Sequence, residues 1–256
     1  MTRIVHPAQA LLTSLSGFRV EFSEVSARVD IVLDRPPFNV VTMEQREQLR
    51  LVFEALDDDP QIRVIVLRSV GEHFSMGGDI VGLGGISAED ISNLAWNVSA
   101  PARCSKPVIA ANRGYCFGVG FELSLACDFR LATETTMYAL SEQRIGQLPG
   151  SGGSARLQKM VGIGRTKDII MRSRQISGPQ AFDWGIVTEF VPDSDLESAT
   201  DDMVRELLAF SPLAQRAAKR LLNDIDDSSL SMGIEMEGHI NGRLHNSDYR
   251  EGFEAL

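Results

Sequence analysis

Gly114-Tyr-Cys-Phe-Gly-Val-Gly-Phe-Glu-Leu-Ser-Leu-Ala-Cys-Asp128 is the stretch that decides how this chain reads. It follows a short apolar run, Pro107 to Asn112, with the character of a buried strand, and from Phe121 it continues as an apolar helix running to Asp128. A glycine-rich turn that opens a helix leaves peptide N–H groups unpaired at the helix start, where the dipole also favours negative charge. Glu122 lies in the first helical turn, flanked by Phe121, Leu123 and Leu125. Burial in such a run raises a carboxyl group toward the range useful for proton transfer. Alone, such a glutamate is more often structural than catalytic.

The same order of strand, glycine loop and helix occurs earlier. Ile62 to Arg68 reads as a buried strand, and His73-Phe-Ser-Met-Gly-Gly-Asp79 follows it, with Gly82, Gly84 and Gly85 close behind. Glycines let the backbone approach a ligand and point N–H groups at an anion, although one such loop taken singly is more often a flexible turn. Residues 62–100 and 107–128 thus form a weak internal repeat, and two loops placed after two strands can converge on one oxygen as an oxyanion hole. Familiar glycine motifs do not account for them. Gly118-Val-Gly120 and Gly162-Ile-Gly164 lack the third glycine of the dinucleotide signature, and neither a phosphate-binding P-loop nor a G-x-S-x-G elbow is present.

Further out, Phe18 to Phe22 and Arg28 to Leu33 read as an early strand pair. Thr42 with Gln45 forms a capping box ahead of a helix whose Leu49, Val52, Phe53 and Leu56 share a face, ending at Asp57-Asp-Asp-Pro60. Ser87 with Asp90 starts a second helix, carried through Ile91, Leu94 and Trp96 and closed by Pro101. Ser177, Ser211 and Ser247 mark later helix starts, and a soft boundary after Val191-Pro192 divides residues 1–192 from a helical region, 193–256. Glu142 stands in a loop before Gly146 and the Pro149-Gly-Ser-Gly-Gly153 turn; alone it is a surface glutamate.

The 256 residues suit one large domain or a domain with an appendage, and 43% hydrophobic with 23% charged residues is ordinary globular composition. With 35 acidic against 25 basic side chains the net charge is -10, which disfavours nucleic acid and anionic membranes as partners. No run approaches the ~18 apolar residues of a membrane span. Cys104, Cys116 and Cys127 offer neither a disulfide framework nor a zinc motif, and MTRIVHPAQALLTSLSG has no continuous apolar signal segment, so a cytoplasmic protein is expected. His6, His73, His239 and His245 lack metal-ligand spacing, so no metal is expected. His73 reads as a solvated loop residue more readily than a substrate contact. Arg165, Lys167, Arg172 and Arg174 read as a solvated basic face more readily than a phosphate site.

In order and spacing these segments resemble the crotonase, or enoyl-CoA hydratase/isomerase, superfamily from about Phe18 to Phe253. His73-Phe-Ser-Met-Gly-Gly-Asp-Ile80, Gly114 to Asp128 and Ser141-Glu-Gln-Arg-Ile-Gly-Gln-Leu-Pro-Gly-Ser-Gly-Gly153 are similar to its three glycine segments, and Glu142 follows Glu122 by the 20 positions of the two-glutamate hydratases. The resemblance implies an α/β spiral of ββα repeats, a helical C-terminal region that packs against neighbours in a homotrimer or dimer of trimers, and an acyl-CoA thioester substrate with no separate cofactor. It carries over Glu122 and Glu142 as catalytic acids and the N–H groups of Gly78 and Val119 as oxyanion donors. Met76, Gly77, Asp79, Ile80 and Gly118 are expected to line the substrate site. The implied activity is hydration of an enoyl-CoA; isomerisation, hydrolysis, decarboxylation or silent acyl-CoA binding remain the alternatives. Three departures from the family pattern stand out. Val119 replaces the usual glycine and adds bulk, Arg113-Gly114 replaces Asn-Gly, and the chain stops at Phe253-Glu-Ala-Leu256 without a basic tail, which implies weaker contacts to CoA phosphates. Trp96, with residues 86–100, reads equally as acyl-pocket wall or as helix core.

Overall fold

The computed structural model describes residue 12, residues 14–83 and residues 85–245; the expected features at Ser247 and residues 253–256 lie outside them. The strands fall close to their sequence positions, as β1 (Phe18–Phe22), β2 (Arg28–Leu33), β3 (Val64–Ser69) and β4 (Val108–Ala111), followed by β5 (Tyr115–Phe117), β6 (Phe129–Ala132), β7 (Met137–Ala139), β8 (Ile176–Ser177) and β9 (Glu189–Phe190). A six-stranded sheet runs β1-β2-β3-β4-β6-β9, antiparallel only between β1 and β2, and a smaller sheet runs β5-β7-β8. Parallel strands are covered on both faces, which is why β3 is apolar at consecutive positions. Ile65 and Leu67 face α1 (Met43–Asp58), with its Leu49, Val52, Phe53 and Leu56. Val64 and Val66 face the opposite way, joining Ile109, Ala111 and Leu131 under Leu196, Met203 and Val204 of the helix Leu196–Ala209.

The capping box forms at the start of α1: Gln45 N–H donates to Thr42 Oγ1 at 3.1 Å, and Thr42 N–H to Gln45 Oε1 at 2.9 Å. After Ser87, however, the expected single helix breaks into α2 (Ala88–Ser92), α3 (Leu94–Val98) and α4 (Ala100–Arg103). Pro101 does not close this segment. It sits in the first turn of α4, where its missing N–H costs no helical hydrogen bond. Trp96 is not core either: it is 57% exposed, with the Arg103 guanidinium 3.6 Å above its ring, while Leu94 and Val98 face inward.

The second glycine segment opens α5 (Val119–Ala126), every residue of which is buried. Beyond β7, Glu142–Ile145 forms one 3-10 turn rather than open loop, ended by Gly146 in the left-handed region. The helical segment α6 (Gly153–Met171), kinked where Gly162 leaves helical geometry at φ +77°, then begins at the third glycine segment, and α7 (Gly178–Asp183) begins at Ser177. The helix Leu196–Ala209 is α8, and α9 (Pro212–Ile225) and α10 (Leu230–His245) complete the described chain, with the Ser211 hydroxyl capping α9. Lys219 Nζ ties α9 to the body, donating to the Pro101 and Lys106 carbonyls at 2.9 Å each and to Asp128 Oδ2 at 2.7 Å. Among the described residues no helix is long and apolar enough to cross a membrane, and no group of three His, Cys, Asp or Glu side chains is placed to hold a metal ion.

Candidate functional site

The two glycine loops lie side by side because their backbones pair. Ser75 N–H donates to the Tyr115 carbonyl and Phe117 N–H to the Ser75 carbonyl, each at 2.9 Å, which forms a parallel bridge between Ser75 and Cys116. On its other side the first loop is held by Val41, whose N–H reaches the Gly77 carbonyl at 2.9 Å and whose carbonyl takes the Asp79 N–H at 3.0 Å. Gly120 is needed for the close approach, since a Cβ there would stand 2.6 Å from Ser75 Cβ. Gly118 adopts φ +49°, in the left-handed region that side chains disfavour, as it turns the chain from β5 into α5.

This pairing brings Gly78 and Val119 together: a Cβ on Gly78 would lie 3.8 Å from Val119 Cγ1. Among the described residues neither the Gly78 nor the Val119 N–H has a hydrogen-bond acceptor. The Val119 side chain is 3% exposed and belongs to the hydrophobic core, so its bulk is accommodated by packing while its N–H remains at the helix start. Of the residues expected to line the site, Gly77 and Gly118 are buried in the paired loops, whereas Met76 and Ile80 stay exposed at its edge. The Asp79 carboxylate turns back to accept from Gly82 N–H at 3.2 Å and borders a cleft of about 420 Å³ with Arg35, Thr42 and Glu44.

Both glutamates converge on the paired loops. Glu122, on α5, accepts at Oε1 from Ser151 N–H at 2.8 Å and Gly153 N–H at 3.0 Å, so its carboxylate sits at the N-terminus of α6. Glu142 arrives from the 3-10 turn, with Oε1 3.0 Å from where a Cβ on Gly118 would be. Its Oε2 is buried without a hydrogen-bond partner. Desolvation raises both carboxyl groups, but the environments differ. For Glu122 the rise is opposed by the two N–H donors and by Arg46. Glu142, which also feels repulsion from Glu122, is pushed up to about 7 against the pull of Arg46.

Several neighbours depart from expectation. His73 is not a solvated loop residue: it stacks 4.3 Å from Tyr115 and 6.0 Å from Phe38, and its Nδ1 accepts from Tyr115 N–H at 3.3 Å. Arg113 reaches α8, donating to Glu197 at 3.0 Å. The expected solvated reading fits Arg172 and Arg174, which pair with Asp168 at 2.6 and 2.5 Å, while Arg165 lies over the Trp184 ring. Two contributions to the site went unread in the sequence. The third glycine segment supplies the N–H donors to Glu122, and Arg46, the one buried charged side chain of α1, acts on both glutamates through its charge. Glycines ahead of a helix were the available signal for the first, and a charge three residues before Leu49 on an apolar stripe for the second.

Residues 25–256 match the family model for enoyl-CoA hydratase/isomerase. The chain belongs to the crotonase, or enoyl-CoA hydratase/isomerase, family. It is thereby an enzyme of the acyl-CoA hydratase/dehydratase group. It is 31% identical over 237 residues to a carnitinyl-CoA dehydratase of Salmonella enteritidis PT4, covering 89% of this chain and 91% of that one. Among solved structures it is similar to an enoyl-CoA hydratase from Bacillus anthracis, with a TM-score of 0.87, 31% identity and coverage of 94% and 95% of the two chains. A protein of Thermobifida fusca YX solved in complex with acetoacetyl-CoA superposes with a TM-score of 0.82 at 25% identity, covering 90% of this chain and 95% of that one. The crotonase fold expected from the three glycine segments is therefore the fold of this protein.

Proposed function

We propose that the protein is an enoyl-CoA hydratase, adding water across the 2,3 double bond of an acyl-CoA thioester. The observation that carries this reading is the convergence of two differently placed glutamates on two unpaired N–H groups. The thioester oxygen would accept from Gly78 and Val119 N–H, which become more favourable partners as the oxygen gains enolate charge. Glu122, whose ionised form is supported by the Ser151 and Gly153 N–H groups, takes a proton from the water that attacks the β-carbon. Glu142 holds its proton near neutral pH and gives it to the α-carbon as the enolate collapses. The C2–C3 π bond, one O–H bond of water and the Glu142 O–H bond break as a carbon–oxygen bond, a carbon–hydrogen bond and the Glu122 O–H bond form; the pair keeps its net charge, and passage of one proton from Glu122 to Glu142 restores the starting state. Run backwards, the same steps remove water, so a dehydratase needs no different site.

The retained acid pair favours hydration over double-bond isomerisation, which needs a single proton shuttle. Met76 and Ile80, exposed in the segment that carries Gly78, would meet the thioester arm or acyl chain. CoA belongs to the substrate, and the proposed steps use no metal or further cofactor. Within residues 193–256, α8 covers the chain's own sheet, and α9 and α10, with the exposed Leu213, Leu222, Leu230, Met232 and Ile234, are assigned to subunit packing in a trimer or dimer of trimers. A cytoplasmic setting accords with three free, buried cysteines.

A panel of 2-enoyl-CoA thioesters of increasing chain length, read by product mass, tests the activity. At least one should gain the mass of one water, with the gain lost in Glu142→Gln. No gain from any thioester, while CoA ligands still raise the melting temperature, would overturn the hydratase reading in favour of another acyl-CoA activity or of binding alone.

A further inference from the structure

Arg46 is a buried charge that the proposed hydration steps leave unused. It lies on α1 three residues before Leu49 and seven before Phe53, so helical periodicity turns it into the protein together with the apolar stripe. The residue is 5% exposed, and its Nε is buried with no hydrogen-bond partner. Its guanidinium lies against the oxyanion loop: Nη2 is 2.5 Å from where a Cβ on Gly78 would be, so the glycine makes room for the arginine. Glu142 Oε1 flanks the same paired loops from the Gly118 side, and Gly77 Cα is 3.6 Å from the Cβ position of Gly118.

The charged groups facing this region come from four elements. Glu122 is on α5, Glu142 on the 3-10 turn, Arg46 on α1 and Arg156 on α6. Arg156 is already engaged, donating to the Ser151 carbonyl at 3.2 Å and to Ser99 Oγ at 2.9 Å. Arg46 has no such engagement among the described residues, and its electrostatic partners are the two glutamates. A buried cation without local hydrogen bonds is costly unless nearby charge compensates it. One ionised and one protonated glutamate beside Arg46 make a set of zero net charge, whereas two ionised glutamates or two neutral ones do not.

We propose that Arg46 is a positioning residue of the acid pair: its fixed positive charge, seated behind Gly78, keeps Glu122 and Glu142 sharing one proton in the neutral pH range. Its kinetic consequence rests on the hydratase reading, but its titration consequence does not. Removing the positive charge favours protonation, so both carboxyl groups must titrate at higher pH.

Carboxyl carbon-13 titration of the substrate-free protein reads this directly, with the Glu142 signal assigned by its loss in Glu142→Gln. We expect Glu142 to titrate about one pH unit higher in Arg46→Gln and within about 0.3 unit of wild type in Arg46→Lys. The alkaline limb of the hydration rate should move upward with the signal. An unchanged or lowered Glu142 titration in Arg46→Gln overturns the proposal, as does an equal rise in Arg46→Lys, which would assign the effect to shape. Should Arg46→Gln not fold, Arg46→Met removes the same charge with apolar bulk in the buried position; Glu142 should again titrate higher, and no movement overturns the proposal. A wild type that titrates as expected yet hydrates nothing sinks the hydratase reading alone.

Discussion

Replacing Glu142 by glutamine should stabilise the fold in alkaline solution while removing turnover. The Glu142 carboxyl group is raised from its ordinary 4.5 to about 7, chiefly by burial. Below pH 4.5 both folded and unfolded chains hold the proton, and this group does not favour either. Between 4.5 and 7 the unfolded chain releases the proton that the folded one keeps, so stability falls as pH rises through this window and stays lowered above it. At about 1.4 kcal/mol per pH unit the full interval amounts to roughly 3.5 kcal/mol, and partial solvent access reduces this to about 2 kcal/mol. A carboxamide of the same shape never ionises. Glu142→Gln should therefore match wild type at pH 4 and exceed it by about 2 kcal/mol at pH 8.5 in urea denaturation at a fixed protein concentration. A difference that is the same at both pH values, or a variant weaker than wild type at pH 8.5, would refute the reasoning.

Other substitutions separate chemistry from architecture. Glu122→Gln should lower hydration by at least about 100-fold while leaving the thermal shift caused by CoA ligands intact; retained turnover would remove Glu122 from the proton path. Gly114→Ala should cost about 3 kcal/mol or more by urea denaturation, because Gly114 has φ +52° and a Cβ there would stand 2.5 Å from His73 Nδ1 and closer still to the Glu72 carbonyl oxygen. Lys219→Met should lose about 3 kcal/mol in the same assay, since it leaves Asp128 and two carbonyls without their shared donor; a neutral result would show that this tie contributes little.

Local signals carried much of the architecture. Thr42 and Gln45 announce the start of α1 because a reciprocal cap needs only residues three apart, and Ser177 and Ser211 announce α7 and α9 for the same reason. The paired glycine loops were legible because close backbone approach demands glycine at Gly118 and Gly120. Less was legible where the outcome depended on distant partners. The break of residues 88–103 into three short helices follows the surface on which Leu94 and Val98 pack, while Pro101, read as a stop, is equally suited to a first turn. His73 looked solvated because nothing near it in the chain says that Phe38 and Tyr115 will stack beside it. The N–H donors to Glu122 lie 29 and 31 residues downstream, and Arg46 lies 76 residues upstream, so their convergence belongs to the tertiary fold.

The most direct test of the central claim is the reaction of a four-carbon 2-enoyl-CoA in deuterium oxide, with the product analysed by mass and proton NMR. Proton delivery from Glu142 and water activation by Glu122 predict a 3-hydroxyacyl-CoA carrying one deuterium on the α-carbon, with formation suppressed in both Glu122→Gln and Glu142→Gln. Deuterium in a recovered enoyl chain without a new hydroxyl group, or hydration that persists in either variant, would contradict the account.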